Sequence, residues 1–418
     1  MASADKTIFV YADWIDKSPV LIGKLYVSET RGKEVFSFEY SKDWIRSTDA
    51  SFILDPDLRL YEGRQYAPDK PLFGVFSDSC PDRWGRLLMK RKEEILAREE
   101  NRKPKALTES DYLLGVYDET RSGALRFSLE ENGPFLSTDK NLPAPPWTTL
   151  RSLESASLAF ESDEGGMEEK WLRQLLAPGS SLGGARPKAS VQAPDKSLWI
   201  AKFPSKNDEW NSGAWEAVAH DLAAKCGLKV PEAKLETFSD AGSTFLTKRF
   251  DRSGIRRIHF TSAMALLGKL DGAGAEGASY LNIASFIKSN GASPTQDLKE
   301  LWKRVIFNMA ISNTDDHLRN HGFLLTENGW TLSPMFDVNP DIYGNALSLG
   351  VSENDKSISF ELAIETAGYY DIGIHDARTI VADISKTIIE NWQTLAADYG
   401  LSKDAISRMK PAFTIEYK

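Results

Sequence analysis

The sequence predicts an α+β fold in which strands come first and helices last. Three observations carry this. Residues 7–40 hold three short apolar or alternating runs, residues 197–252 place one helix between two further strand-like runs, and from about residue 255 the apolar spacing turns helical. Segregation of this kind belongs to α+β folds rather than to an alternating parallel sheet. At 418 residues the chain exceeds one ordinary core, so two or three domains are expected.

The elements follow in order. "TIFVYADW" is a short apolar strand. "VLIGKLYVSE" and "VFSFEYS" come next, split by the turn-like "TRGKE". In the latter run Phe36, Phe38 and Tyr40 alternate with Ser37 and Glu39, the period of a half-buried strand. "PDRWGRLLMKRKEEILAREE" reads as a helix with Trp84, Leu87, Leu88 and Ile95 to one side, and "SGALRFSLE" as another strand. The prolines of "NLPAPPW" (141–147) suit neither a helix interior nor a central strand, which makes this stretch a linker. "SLWIAKFPS" (197–205) is a strand with Trp199, Ala201 and Phe203 alternating. "AWEAVAHDLAAKCGL" (214–228) is a helix stopped at Gly227, and "TFLTKRFDR" (244–252) is a second strand. "DGAGAEGAS" (271–279) reads as a loop. In "SPTQDLKELWKRVIFNMAI", Ser293, Pro294 and Gln296 have the spacing of an N-cap, N1 proline and capping box. Leu298, Leu301, Trp302, Val305, Ile306 and Met309 form the stripe of a core helix, and a last helix covers roughly 376–398.

Composition narrows the function classes. Apolar content of 41% and charged content of 27% are those of a soluble globular protein, and a net charge of −9 argues against a generally basic nucleic-acid binder. Two widely spaced cysteines, Cys80 and Cys226, exclude a disulfide scaffold and a Cys-rich zinc site. The start has no basic region followed by an apolar run, and no stretch approaches 18 apolar residues. A cytoplasmic chain with no membrane role is expected.

Chemistry concentrates in "NTDDHLRNH" (313–321), where two Asp, two His, an Arg and two Asn end the core helix. Asp315 and Asn320 stand five apart, the spacing of the Asp-x-x-x-x-Asn of protein kinases. There the carboxylate orients or deprotonates an attacking hydroxyl and the amide oxygen holds magnesium. Alone this spacing is common, so it needs partners. Asp337, in "SPMFDVNP", follows a short strand and turn and offers a further metal carboxylate. Lys202 is the lone charge in an apolar strand and would need an anion, phosphate or Glu216; the alternative is an edge-strand lysine reaching for solvent. "GSSLGGARPKAS" (179–190) has small residues whose N–H groups can approach phosphate, with Arg186 and Lys188 adding charge; it could equally be an ordinary loop. His317 and His321 sit at i, i+4, but no zinc motif surrounds them. His220, His259 and His375 are isolated and read as structural.

Together "SSLGGARPKAS", "IAKFP", "FLTKRFDR", "NTDDHLRNHGFLL" and "LSPMFDV" resemble the HipA-type serine/threonine kinases, toxins of bacterial toxin–antitoxin pairs. The stretch "GKLYVSE…FSFEYS…PLFGVFSDSCPDRWGRLL…SGALRF" resembles that family's extra N-terminal subdomain. The resemblance implies a kinase-like two-lobed fold, with a small β-rich N-lobe, a helical C-lobe and an extra N-terminal α/β subdomain. The expected parts are 1–145 for the subdomain, 146–252 for the N-lobe and phosphate loop, and 253–418 for the catalytic lobe. It implies ATP and Mg2+ as cofactors and Asp315 as catalytic base, with Asn320 and Asp337 on the metal. Lys202 would hold the nucleotide phosphates, and Gly183, Gly184, Ala185, Arg186, Pro187 and Lys188 would form the phosphate-covering loop. Lys248, Arg249 and Phe250 would lie at the hinge near the adenine, and His317, Arg319 and Phe336 would join the nucleotide contacts. Ser181 would be an autophosphorylated serine that switches the kinase off, with Ser180 as its adjacent alternative. A small helix-turn-helix antitoxin, DNA contact only through it, and an aminoacyl-tRNA synthetase as target are also implied. Asp316 stands where the family commonly has Gly, and Arg319 where it has Lys. A catalytically silent co-repressor and a small-molecule kinase on the same scaffold are the rival readings.

Overall fold

The chain divides into two units that do not follow its linear order. The computed structural model describes residues 6–15, 18–47, 52–67, 69–136, 144–162, 175, 184–272 and 277–413. One unit takes Met1–Lys206, Arg249–Thr261 and Gly268–Leu270; the other takes Asn207–Lys248, Ser262–Leu267 and Asp271–Lys418. The α+β class is borne out, and more strand follows residue 255 than the helical spacing suggested.

The first unit is built on an antiparallel sheet. Its strands are β1 (Lys6–Ala12), β2 (Val20–Thr30), β3 (Lys33–Tyr40), β4 (Gln65–Tyr66) and β5 (Leu125–Ser128), in the order β4-β3-β2-β1-β5. The alternation read in β3 holds in part: Phe36, Phe38 and Tyr40 are buried, but so is Ser37, and Phe38 pairs with Leu25. Arg31 and Gly32 join β2 to β3 with φ of 53° and 76°, the left-handed pair that a two-residue hairpin turn needs. Helix α1 (Arg83–Glu99) is capped by Asp82, whose carboxylate accepts from Gly85 N. It buries Trp84, Leu88 and Ala97 but exposes Leu87, so its contact stripe is narrower than expected. Helices α2 (Glu109–Gly115) and α3 (Leu150–Glu161) follow, the latter after the proline stretch. The hairpin β6 (Lys188–Gln192) and β7 (Leu198–Lys202) closes the set, with Lys188 directly opposite Lys202. Every β7 residue after Leu198 is buried, Lys202 included at 7% exposure. The solvent-reaching alternative for that lysine is therefore ruled out.

In the second unit α4 (Ser212–Lys225) starts at an Asn211 cap and ends before Gly227, whose φ of 69° breaks the helix. The hairpin β8 (Ala233–Ser239) and β9 (Gly242–Lys248) follows. Helices α5 (Tyr280–Asn290) and α6 (Pro294–Ala310) carry the core, and the predicted stripe of α6 is buried throughout. The capping box read at Ser293 does not form. It belongs instead to α5, where Ser279 and Asn282 exchange bonds, and α6 starts on Pro294 alone. The hairpin β10 (Gly322–Thr326) and β11 (Gly329–Leu332) follows the loop 311–321. Helices α7 (Phe360–Thr366) and α8 (Ile374–Asp398) complete the unit, with Trp392 of α8 stacked on Phe413 at 4.5 Å. Among the described residues no helix is long and apolar enough to cross a membrane.

Candidate active site

The second unit holds the acidic part of the predicted site. Helix α6 ends at Ala310, and the chain turns through Ser312 at a φ of 52°, with Ser312 Oγ donating to Ala412 O. The next residues are pinned one by one. Asn313 Nδ2 donates to Asn308 Oδ1 (3.0 Å), Thr314 Oγ1 to Asp341 (2.6 Å), and Thr314 O accepts from both N and Oγ of Ser348. Asp316 is the centre. Its buried carboxylate accepts from Tyr280 Oη (2.6 Å), Asn308 Nδ2 (2.8 Å) and His321 Nε2 (2.8 Å), groups that come from α5, α6 and the loop's own far end. Burial alone would raise its pKa. The His321 charge and these hydrogen bonds overcome that and hold the carboxyl below its usual range.

That arrangement leaves its neighbour outward. Asp315 is exposed to solvent, while the protein crowded behind it partly desolvates its carboxyl. This desolvation, reinforced by the negative charges of Asp337 and Asp316 and opposed by His317, raises its pKa. Asp337 therefore lies within electrostatic reach of Asp315. It has a φ of 58°, a left-handed conformation that costs energy for a residue with a side chain and often marks functional positions. Asn320 is 5% exposed. Its Nδ2 donates to Asp315 O (3.3 Å), and its buried Oδ1 has no hydrogen-bond partner. Arg319 pairs with Asp271, and Phe336 is half-buried just before Asp337.

Magnesium fits this donor set. A buried amide oxygen with no donor costs free energy unless something binds it, and a hard cation takes such oxygens together with one or two carboxylates. Among the described residues no group of three or more His, Cys, Asp or Glu is arranged for a metal, so the amide oxygen of Asn320 would be part of any magnesium site here. His321, weighed as half of a histidine metal pair, is committed to Asp316.

The predicted cations lie in the first unit, except Lys248 and Arg319. Lys188 forms a buried ion pair with Asp82 at 2.9 Å and approaches Gly184 O at 3.4 Å. Gly184 has a φ of 88°, which a side chain would strain; Ala185, Arg186 and Pro187 lead from it into β6, and Pro187 O accepts from Phe203 N. Arg249 is buried in a two-bond pair with Asp251 and also donates to Thr120 O and Arg121 O, so it ties this segment to the N-terminal region. Phe250 packs against Phe260 at 5.9 Å. Lys248 ends β9 in the second unit and pairs with Glu232, while Glu216 is buried on α4. Gly183, Ser180 and Ser181 lie outside the described residues.

Sequence reading missed Asp316 as an anchor, its partner Tyr280, and the Asp82–Lys188 and Arg249–Asp251 pairs. The spacing of 36 residues between Tyr280 and Asp316 carries no periodic signal. Asp82 in "PDRWGR" was read only as part of a helix.

Comparison with known proteins follows the same lines. The family model described as the HipA-like C-terminal domain matches residues 180–392. The candidate kinase Y4mE of Sinorhizobium fredii is 29% identical over 220 residues, covering 50% of this chain and 44% of its own length. A candidate kinase of Haemophilus influenzae is 25% identical over 194 residues, covering 40% of this chain and 56% of its own. The chain thus spans about half the length of the curated relatives it matches. Among solved structures, HipA of the Shewanella oneidensis MR-1 toxin–antitoxin system, solved with HipB and its operator DNA, superposes with a TM-score of 0.67. It does so at 18% identity, over 97% of this chain and 95% of that one.

Proposed function

This chain belongs to the family of the HipA-like C-terminal domain, and from that premise we propose that it is an ATP- and magnesium-dependent kinase acting on serine or threonine hydroxyls of a protein. The observation that carries the reading is the loop 313–321. Asp315 is presented to solvent beside the charge of Asp337, and Asn320 carries a buried oxygen without a partner, all on a backbone fixed from below by Asp316.

Asp315 would orient the acceptor hydroxyl and take its proton as its oxygen bonds to the γ-phosphorus and the bond from that phosphorus to the departing ADP oxygen breaks. Asn320 Oδ1 and the Asp337 carboxylate hold the magnesium, which when bound neutralises phosphate charge. Lys202, buried and cationic, faces the nucleotide phosphates, with the segment 183–188 covering them. Lys248 to Phe250 border the adenine, and His317, Arg319 and Phe336 complete the nucleotide contacts. Ser181 is the proposed site of self-modification, since a phosphate there adds about −1.5 to −2 charges beside a phosphate-binding segment. A HipB-like helix-turn-helix antitoxin is the proposed partner, with DNA met only through it, and a translation component such as an aminoacyl-tRNA synthetase is the proposed target. The fold shared with the Shewanella protein supports the partner.

The test is incubation of the purified chain with γ-labelled ATP and magnesium in a cell lysate, beside Asp315→Gln. Label on one or a few proteins, lost in the variant, is expected; label passing only to small molecules, or persisting in the variant, would overturn the reading.

A further inference from the structure

The two lysines of the β6–β7 hairpin raise a question that the kinase reading leaves open. Lys188 and Lys202 are directly opposed, so their side chains leave the same face of an antiparallel pair, where like charges repel. Both are buried. A carboxylate reaches Lys188. Asp82 Oδ2 lies 2.9 Å from Lys188 Nζ, with the two side chains 6% and 4% exposed. Its other oxygen, Oδ1, is occupied by Gly85 N at 2.8 Å as the cap of α1. The carboxylate is therefore held in place by a helix of the N-terminal region. The turn around it is braced as well. Arg86 Nε donates to Pro81 O, and both of its terminal nitrogens pair with Glu109 at 2.7 Å. Two residues on from Asp82, Trp84 Nε1 donates to the main-chain oxygen of Lys188 at 3.1 Å. Residue 188 is thus gripped at side chain and backbone by one short turn, immediately after the glycine segment.

Resting on the kinase reading, we propose that Asp82 and Trp84 are positioning residues for the nucleotide: they fix Lys188 as the anchor of residues 184–187 rather than as a phosphate ligand. A phosphate ligand would have to draw Lys188 away from a buried carboxylate, leaving that charge uncompensated. An anchor needs no such exchange. On this view "PDRWGR" is the part of the N-terminal region that sets the foot of the phosphate segment, and nucleotide affinity depends on it although it touches no nucleotide.

The experiment is a double-mutant cycle on the full chain with Asp82→Asn, Lys188→Met and both together, read by thermal unfolding and by separate KM and kcat for ATP; Trp84→Phe is added to remove the indole bond while keeping the ring. Asp82→Asn should raise KM for ATP roughly tenfold with kcat little changed, and the double variant should be no worse than the worse single, because the pair acts as a unit. Trp84→Phe should raise KM in the same sense while unfolding near the parent temperature. A rise in KM for Lys188→Met with none for Asp82→Asn would make Lys188 a direct phosphate ligand and overturn the proposal. If no variant or parent transfers phosphate, the kinase reading fails separately. The unfolding cycle then still decides the anchor, since additive single effects would overturn it and coupled ones uphold it.

Discussion

At the scale of single residues, the proposed site separates groups assigned to chemistry from groups that hold them. Asp315 is exposed, so Asp315→Gln should leave the unfolding temperature within error of the parent while phosphoryl transfer falls by about 10²–10⁴-fold. Transfer within a few-fold of the parent would remove Asp315 from the base role. Asp337 offers a sharper case because its backbone is left-handed. Asn tolerates that conformation nearly as well as Asp, so Asp337→Asn removes the charge without adding strain. Magnesium titrations of activity should show a midpoint shifted to much higher concentration in this variant. An unmoved midpoint would show that Asp337 does not bind the metal. Asp337→Ala would mix charge loss with backbone strain and is the poorer probe.

At the scale of elements, the loop after α6 is rigid because buried polar groups on two helices converge on Asp316. Removing that carboxylate leaves Tyr280, Asn308 and His321 facing a void. Asp316→Ala should therefore destabilise the second unit by about 3–5 kcal/mol, measured by denaturant unfolding. A loss below about 1 kcal/mol would mean that the three donors find other partners. The same loop shows what the sequence could convey. The stripe of α6 was legible because an apolar face repeats every turn, whereas Asp315, Asn320 and Asp337 were singled out because their types and the Asp-x-x-x-x-Asn spacing match a known chemistry. Asp316 was visible only as a departure from a common glycine, because its partner Tyr280 comes from another helix and long-range hydrogen bonds leave no period. The cap at Ser293 was misread for a related reason. Ser, Pro and Gln stood at the right offsets, yet Ser293 has φ −141° and ψ 66°, and its side chain makes no capping bond. Lys188 looked like one more cation beside glycines until the fold brought Asp82, 106 residues away, against it.

At the scale of the whole molecule, the two units should answer acid with opposite sign. In the first unit, residues 249–261 return from far along the chain to bond with residues 118–123 of the N-terminal region. There Arg249, Arg252 and Arg257 share Asp251, Asp118 and Asp13, and His259 stacks on Trp14 at 4.5 Å. Burial pushes the His259 pKa from 6.5 down to about 3. Its folded value is depressed, so the unfolded chain binds the proton first. The stability tied to neutral His259 is complete above pH 6.5 and is lost as pH falls toward 3, by about 1.4 kcal/mol per unit. Asp251 is also depressed, because Arg249 and Arg252 outweigh its burial, but its contribution begins to fall only near the ordinary carboxylate range. Between roughly pH 6.5 and 4.5 His259 therefore lowers stability in this unit as pH falls, while Asp55, whose pKa burial raises, acts in the opposite sense. In the second unit His220 shifts the other way. Burial opposes its charge, but hydrogen bonds to Asp221 and Pro231 O raise its pKa, so its contribution is present at low pH and lost as pH rises through the folded value. Hydrogen exchange followed peptide by peptide from pH 7 to 5, corrected for intrinsic rates, should show protection falling across β1 and β5 while α4 holds or gains. His259→Gln should flatten the fall in the first unit and leave α4 unchanged; parallel loss of protection in both units, untouched by that substitution, would show that the acid response does not originate at His259.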